Sequence, residues 1–190
     1  MTKHWSNINL SLGANLASSI GKPEQTLLAA ISSLEKRGAV IRARSRLYHT
    51  PAFPAGNGPD FINAAANCDV MWSPDRTLEV MHEIENEMGR ARTQRWGQRT
   101  LDIDLISYEQ IVLPDAQTHA RWRALPLAQQ MTQTPEILIL PHPRMQDRAF
   151  VLVPLSEVAA DWRHPVLGKT VSEMLDALPE GDRDTVQVAQ

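Results

Sequence analysis

Arg99-Thr100-Leu101-Asp102-Ile103-Asp104-Leu105-Ile106 alternates polar and apolar side chains from Thr100 to Leu105. A period of two is the period of a β-strand, whose successive side chains point to opposite faces. Leu101, Ile103 and Leu105 then face a core, while Asp102 and Asp104 share the other face with Cα atoms about 6.6 Å apart. Two carboxylates so placed repel each other unless a cation sits between them. Magnesium takes one or two carboxylates and completes its shell with phosphate oxygens and water, so the pair is a candidate magnesium site. The competing reading is a solvated strand face on which the aspartates pair with Arg95 and Arg99. Aspartate is disfavoured in strands, and two in alternation favour the metal.

The residues just upstream, Arg90-Ala91-Arg92-Thr93-Gln94-Arg95-Trp96-Gly97-Gln98-Arg99, place four arginines within ten positions. Arginines outnumber lysines fifteen to four in the whole chain. The guanidinium fork grips phosphate or carboxylate in a bidentate way, so this bias points to an anionic ligand. Gly89 and Gly97 give the loop the freedom to close over such a ligand.

Working outward, Ile8, Leu10 and Leu12 alternate with Asn9 and Ser11 in a strand that ends at Gly13. Pro23 opens a helix with Leu27, Ile31 and Leu34 at helical spacing, stopped by Gly38. A strand is expected from Val40 to Tyr48, then a Pro- and Gly-rich loop, then a strand from Phe61 to Met71. Ser73 before Pro74 starts a helix carrying Leu78, Met81, Glu85 and Met88 and ending at Gly89. Residues 108–136 show no clear periodicity. The chain turns apolar again at Ile137, and a last helix is expected from Thr170 to Leu178. Strands and helices mix without strict βαβ alternation, which predicts an α+β class with a largely antiparallel sheet.

A length of 190 residues fits a single domain, here 1–190, with an extended excursion at about 109–136. Apolar residues at 43% and charged residues at 22% are ordinary for a globular chain. A net charge of −3 argues against a general nucleic-acid binder. Cys68, the single cysteine, reads as a small packed hydrophobe rather than a nucleophile. No segment reads as a signal peptide or a membrane span, so a cytoplasmic protein is expected. Gly168-Lys169-Thr170 imitates the end of a P-loop, but the glycine required five positions earlier is Arg163. Nucleotide binding here would rest on arginines and metal. A sugar-nucleotide transferase using Asp-x-Asp would need a parallel βαβ domain. An RNA or DNA module using the arginine loop sits badly with the paired aspartates that follow it.

The arginine loop leading into Leu101-Asp102-Ile103-Asp104 resembles the signature of 6-hydroxymethyl-7,8-dihydropterin pyrophosphokinases. Other blocks resemble the family in order: Leu12-Gly13-Ala14-Asn15, Ser45-Arg46-Leu47-Tyr48-His49-Thr50-Pro51, Asp60-Phe61-Ile62-Asn63, Ile84-Glu85 with Gly89-Arg90, and Pro141-His142-Pro143-Arg144 with Arg148 and Phe150-Val151-Leu152-Val153-Pro154-Leu155. Together they span about residues 8–178. The resemblance implies a three-layer α/β/α sandwich on a ferredoxin-like sheet. It also implies transfer of the ATP pyrophosphoryl group to the pterin hydroxymethyl oxygen in folate biosynthesis. By position, Asp102 and Asp104 would hold two Mg2+ ions with ATP as co-substrate. Arg90 and Arg92 would act in catalysis and, with Arg95, Trp96, Arg99, His142 and Arg148, bind ATP. Thr50, Pro51, Phe53, Phe61, Asn63 and Phe150 would bind the pterin, with Asn15 and Glu85 in support. The implied partners are these two small molecules, with neither nucleic acid nor membrane, and the protein is expected to be a monomer.

The chain departs from the family pattern at Ala14, where serine is usual, at Phe61, where tyrosine is frequent, and at Gln98, where proline is frequent. Its stretch between Asp104 and His142 is also longer than in compact members and reads as a surface excursion. Ile137 and Ile139 fall where some members place polar nucleotide contacts.

Overall fold

A computed structural model describes residues 4–52, 58–89, 100–130 and 132–189. The strands are β1 (Ser6–Ala14), β2 (Val40–Arg44), β3 (Tyr48–Thr50), β4 (Phe61–Val70), β5 (Asp102–Tyr108) and β6 (Gln187–Val188). The helices are α1 (Pro23–Lys36), α2 (Pro74–Glu87), α3 (Ala116–Arg123), α4 (Leu127–Gln130), α5 (Ala149–Ala159), α6 (Val171–Asp176) and α7 (Glu180–Asp184). The sheet runs β5-β1-β4-β3-β6, with β2 also on β4, and every pairing is antiparallel. Counting β2 and β3 as one broken strand, β1-α1-β2/β3-β4-α2-β5 is the expected ferredoxin-like frame.

The side-chain period sorts the two cores. Ile8, Leu10, Leu12 and Ala14 of β1 join Ala64, Ala66 and Cys68 of β4 and Leu101, Ile103 and Leu105 beneath α1 and α2. On the other face Ala65 and Ile106 meet Val151, Leu152 and Leu155 of α5 and Val171 and Met174 of α6. The sheet is therefore the middle of an α/β/α sandwich. α1 starts at Pro23, and the Gln25 side chain accepts the Lys22 N–H at 2.9 Å. α2 is capped by Ser73, whose hydroxyl accepts from the Arg76 N–H at 3.2 Å. Cys68 lies in the first core, where burial pushes its thiol up to about 12. At that value it is no nucleophile near neutral pH.

Two expectations change. The strand expected from Val40 to Tyr48 breaks at Ser45. The Ser45 hydroxyl takes the Ala65 N–H at 2.8 Å, in the place of a ladder carbonyl. The next amide, Arg46 N–H, leaves the sheet for the Glu157 carboxylate of α5 at 2.8 Å. The excursion, read as a surface segment without clear periodicity, carries α3 and α4. Asp115 caps α3 by accepting the Thr118 N–H at 2.8 Å. Its His119 is wholly buried, so this part of the excursion is not a loose surface loop.

His119 meets the equally buried His164 edge-on, with ring centroids 5.6 Å apart. Burial, with His119 and Arg123 alongside, pushes His164 down to about 4 from its ordinary 6.5. Burial also lowers His119. Above pH 6.5 both folded and unfolded His164 are neutral, and nothing is gained or lost. As the pH falls from 6.5 towards 4, only the unfolded chain takes up this proton, so stability should fall by about 3 kcal/mol. Urea midpoints at pH 7 and pH 4.5 for the wild type and His164→Phe read this difference. An equally steep fall in the variant would refute it.

Candidate active site

The odd-numbered residues of β1 and β4 share the sheet face towards α5 with Asp102, Asp104 and Ile106 of β5. Pairing aligns them in rows: Gly13 lies opposite Asn63 on one side and Asp102 on the other, and Ser11 opposite Ala65 and Asp104. Directly opposed residues in an antiparallel pair project to the same face. Asn63 and Asp102 therefore stand two strands apart, roughly 10 Å, with only a glycine between them. A Cβ at Gly13 would lie 2.9 Å from Asn63 Oδ1 and 3.8 Å from Phe61 Cδ1. The glycine keeps a trough open across β1.

At one end of the trough Asn63 is buried and its Nδ2 donates to Thr50 Oγ1 at 2.6 Å. That bond fixes the amide plane and turns Oδ1 towards Gly13. Thr50 pairs with Phe61 across β3 and β4, so Thr50, Phe61 and Asn63 form one patch. Pro51 follows directly and is exposed. Asn15 donates from Nδ2 to the Pro59 carbonyl at 3.0 Å, tying the turn after β1 to the approach to β4. Phe150, 37% exposed, opens α5, the helix on this face, and the Arg148 guanidinium lies 5.6 Å from its ring centroid.

At the other end Asp102 and Asp104 are both partly exposed, while Leu101, Ile103 and Leu105 are buried, as the alternation predicts. β5 ends the sheet, and the buried Glu85 of α2 accepts its Ile103 N–H at 2.8 Å. Glu85 so holds the backbone midway between the two aspartates. The two aspartates offer hard, negatively charged oxygens, a donor set that suits Mg2+. Among the described residues no group of three or more His, Cys, Asp or Glu converges.

His142 follows β5 in space, its N–H donating to the Ile106 carbonyl at 2.8 Å. Its Nδ1 accepts the Arg144 N–H at 3.1 Å. Burial, helped by Arg148 and Arg144 and opposed by Asp102, pushes His142 down to about 3. The ring is neutral at physiological pH. With Nδ1 accepting, its proton sits on Nε2, a donor for a ligand oxygen or nitrogen.

The structure thus brings Thr50, Pro51, Phe61, Asn63, Asp102, Asp104, His142, Arg148 and Phe150 to one sheet face and the segments beside it, with Asn15 and Glu85 behind them. Phe53, Arg90, Arg92, Arg95, Trp96 and Arg99 lie outside the described residues. Sequence reasoning passed over Arg144, which is buried and positions His142 through its own amide. It also passed over His119, although the Asp115-x-x-Thr118 cap marks the start of its helix.

A family model for 7,8-dihydro-6-hydroxymethylpterin-pyrophosphokinase (HPPK) matches residues 9–160. The chain is 37% identical over 168 residues to the 2-amino-4-hydroxy-6-hydroxymethyldihydropteridine pyrophosphokinase of Methylorubrum extorquens, which covers 87% of this chain and 92% of that one. It is 36% identical over 162 residues to the Synechocystis protein of the same name, covering 85% and 72%. Among solved structures, Plasmodium falciparum HPPK-DHPS with pteroate matches 93% of this chain and 45% of its own with a TM-score of 0.67. At 15% identity that likeness bears on the fold alone, and this chain spans under half of that protein's length.

Proposed function

Because the chain belongs to the 7,8-dihydro-6-hydroxymethylpterin-pyrophosphokinase family, we propose that the trough across β1 is where its two substrates meet. The enzyme transfers the pyrophosphoryl group of ATP to the hydroxymethyl group of 6-hydroxymethyl-7,8-dihydropterin, a step of folate biosynthesis. The hydroxymethyl oxygen bonds to the β-phosphorus, the bond from that phosphorus to the α–β bridging oxygen breaks, and AMP leaves. The hydroxyl proton is released.

The observation that carries the assignment of residues is the row Asn63–Gly13–Asp102. Asn63 and Thr50, with the backbone at Pro51 and Phe53, bond the polar edge of the pterin. Phe61 and Phe150 stack on its ring, a flat heterocycle suited to aromatic faces. Asp102 and Asp104 hold two magnesium ions with the phosphates of ATP. Magnesium bound there supplies neutralising charge along the triphosphate. His142 donates from Nε2 to the nucleotide, and Arg148 faces the same side. Arg90, Arg92, Arg95 and Arg99 neutralise the transferred phosphates, with Trp96 among the ATP-binding residues. Alignment and charge neutralisation carry such a transfer, with little covalent chemistry from the protein. We place the enzyme in the cytoplasm, where ATP is supplied, as a monomer that handles small molecules and neither nucleic acid nor membrane.

With ATP, magnesium and 6-hydroxymethyl-7,8-dihydropterin, chromatography should find AMP in equal amount to a pterin diphosphate. ADP with a pterin monophosphate would overturn the reading. Arg90→Lys and Arg99→Lys should each slow turnover by about tenfold or more although the charge is kept, because lysine lacks the bidentate fork. Steady-state rates at saturating substrates check this, and native rates in both variants would remove these arginines from the transfer step.

A further inference from the structure

α3 is wedged between the His142 loop and the turn that follows α5. The ring of His119 on α3 is fully buried, with Nε2 3.0 Å from the Pro141 carbonyl oxygen. A carbonyl only accepts, so Nε2 carries the proton and donates. At the end of α3 the Arg123 carbonyl accepts Nη1 of Arg144 at 2.9 Å. Ahead of α3, Leu113 and Leu140 exchange two backbone hydrogen bonds, at 2.9 and 3.1 Å. Residues 113–123 are thus tied to residues 140, 141 and 144, on both sides of His142. On its far side His119 rests edge-on against His164. His164 in turn meets Trp162, which donates from Nε1 to the Glu109 carbonyl at 3.1 Å.

The Pro141 carbonyl and the His142 N–H belong to one planar peptide group. His119 holds its oxygen, and the Ile106 carbonyl of β5 holds its N–H. A plane gripped at both ends resists rotation, and with it the backbone from which the His142 side chain projects. We propose that His119 is a positioning residue for the nucleotide: by donating to the Pro141 carbonyl, with the Arg123–Arg144 contact behind it, it sets where His142 stands. The proposal rests on the reading of His142 as a nucleotide contact. It gives the long segment between β5 and His142 a task in the reaction. The pterin-side residues Thr50, Phe61 and Asn63 lie on β3 and β4, which none of these ties touches.

The test uses the full-length enzyme. His119→Phe keeps a ring and removes the donor. It should raise the KM for MgATP about fivefold to tenfold, with the KM for the pterin within about twofold of wild type. His119→Gln, which keeps an amide donor at similar reach, should recover most of the ATP effect. A role confined to stability would lower the active fraction and leave both KM values alone. If His119→Phe does not fold, Arg144→Met cuts the companion tie and is read by the same criteria. An ATP KM within twofold of wild type, or a pterin KM that rises in step with it, overturns the proposal. His142→Ala, run in parallel, separates the two claims. If it leaves the ATP KM unchanged, the nucleotide reading of His142 fails. If it raises the ATP KM while His119→Phe and Arg144→Met do not, the positioning role alone fails.

Discussion

Asp102→Asn and Asp104→Asn should each lower turnover by roughly a thousandfold or more while the protein stays folded. The size follows from the position. Both side chains sit on the open face of β5, and the buried residues that alternate with them, Ile103 and Leu105, belong to the opposite core. Asparagine keeps the shape and removes the charge on which a magnesium site depends. Developing phosphate charge left without its cation costs several kcal/mol, and each 1.4 kcal/mol is about tenfold in rate. Stability should change by no more than about 0.5 kcal/mol, because the side chains are partly exposed and the like charges face each other. Turnover across a magnesium titration and a thermal melt separate the two effects. Near-native turnover at low magnesium in either variant would refute the metal assignment.

Gly13→Ala should lower kcat/KM for the pterin by roughly a hundredfold, the scale of a misplacement of about 1 Å at a reacting centre. The added methyl would lie 2.9 Å from Asn63 Oδ1, closer than real Cβ contacts. A flexible side chain would swing aside, but Asn63 is buried and its Nδ2 is held by Thr50. Relief therefore breaks that bond and turns the amide proposed to read the pterin edge. The fold should survive, since the clash involves one side-chain atom and no backbone. Calorimetry with an ATP analogue should show an affinity within about twofold of wild type. Native pterin kinetics in the variant would mean that the trough is not the pterin site.

The face assignment of β5 was legible because it needs only the pairing period, and every buried residue from Leu101 to Leu105 obeys it. The starts of α1 and α2 were equally plain, since Pro23 and the Ser73-Pro74 pair act within their own turn. The break at Ser45 was not legible. The serine fits the alternation of a continuous strand, and what ends the ladder is Glu157, more than a hundred residues away in sequence. α5 was hidden for another reason. Its valines and internal Pro154 read as an apolar run, and only packing on the second face of the sheet makes it a helix. The burial of α3 was hidden because it rests on one histidine rather than an apolar stripe. The partners of that histidine, Pro141 and His164, come from separate later segments.

The hydrogen bond from Ile103 to Glu85 also bears on how the molecule behaves in a crowded solution. An open sheet border is a template on which a second chain can add a strand, and proteins blunt such borders with charge, coverage or brevity. On the β5 border a buried carboxylate already occupies an amide that an incoming strand would need, and two acidic side chains stand beside it. The opposite border is shared by β6, only two residues long, and β2, which pairs with β4 alone among the described strands and carries the exposed charges of Arg42 and Arg44. Neither rim invites fibre-like growth or edge-to-edge pairing, and the same glutamate that steadies the aspartates guards the enzyme against sticking to itself.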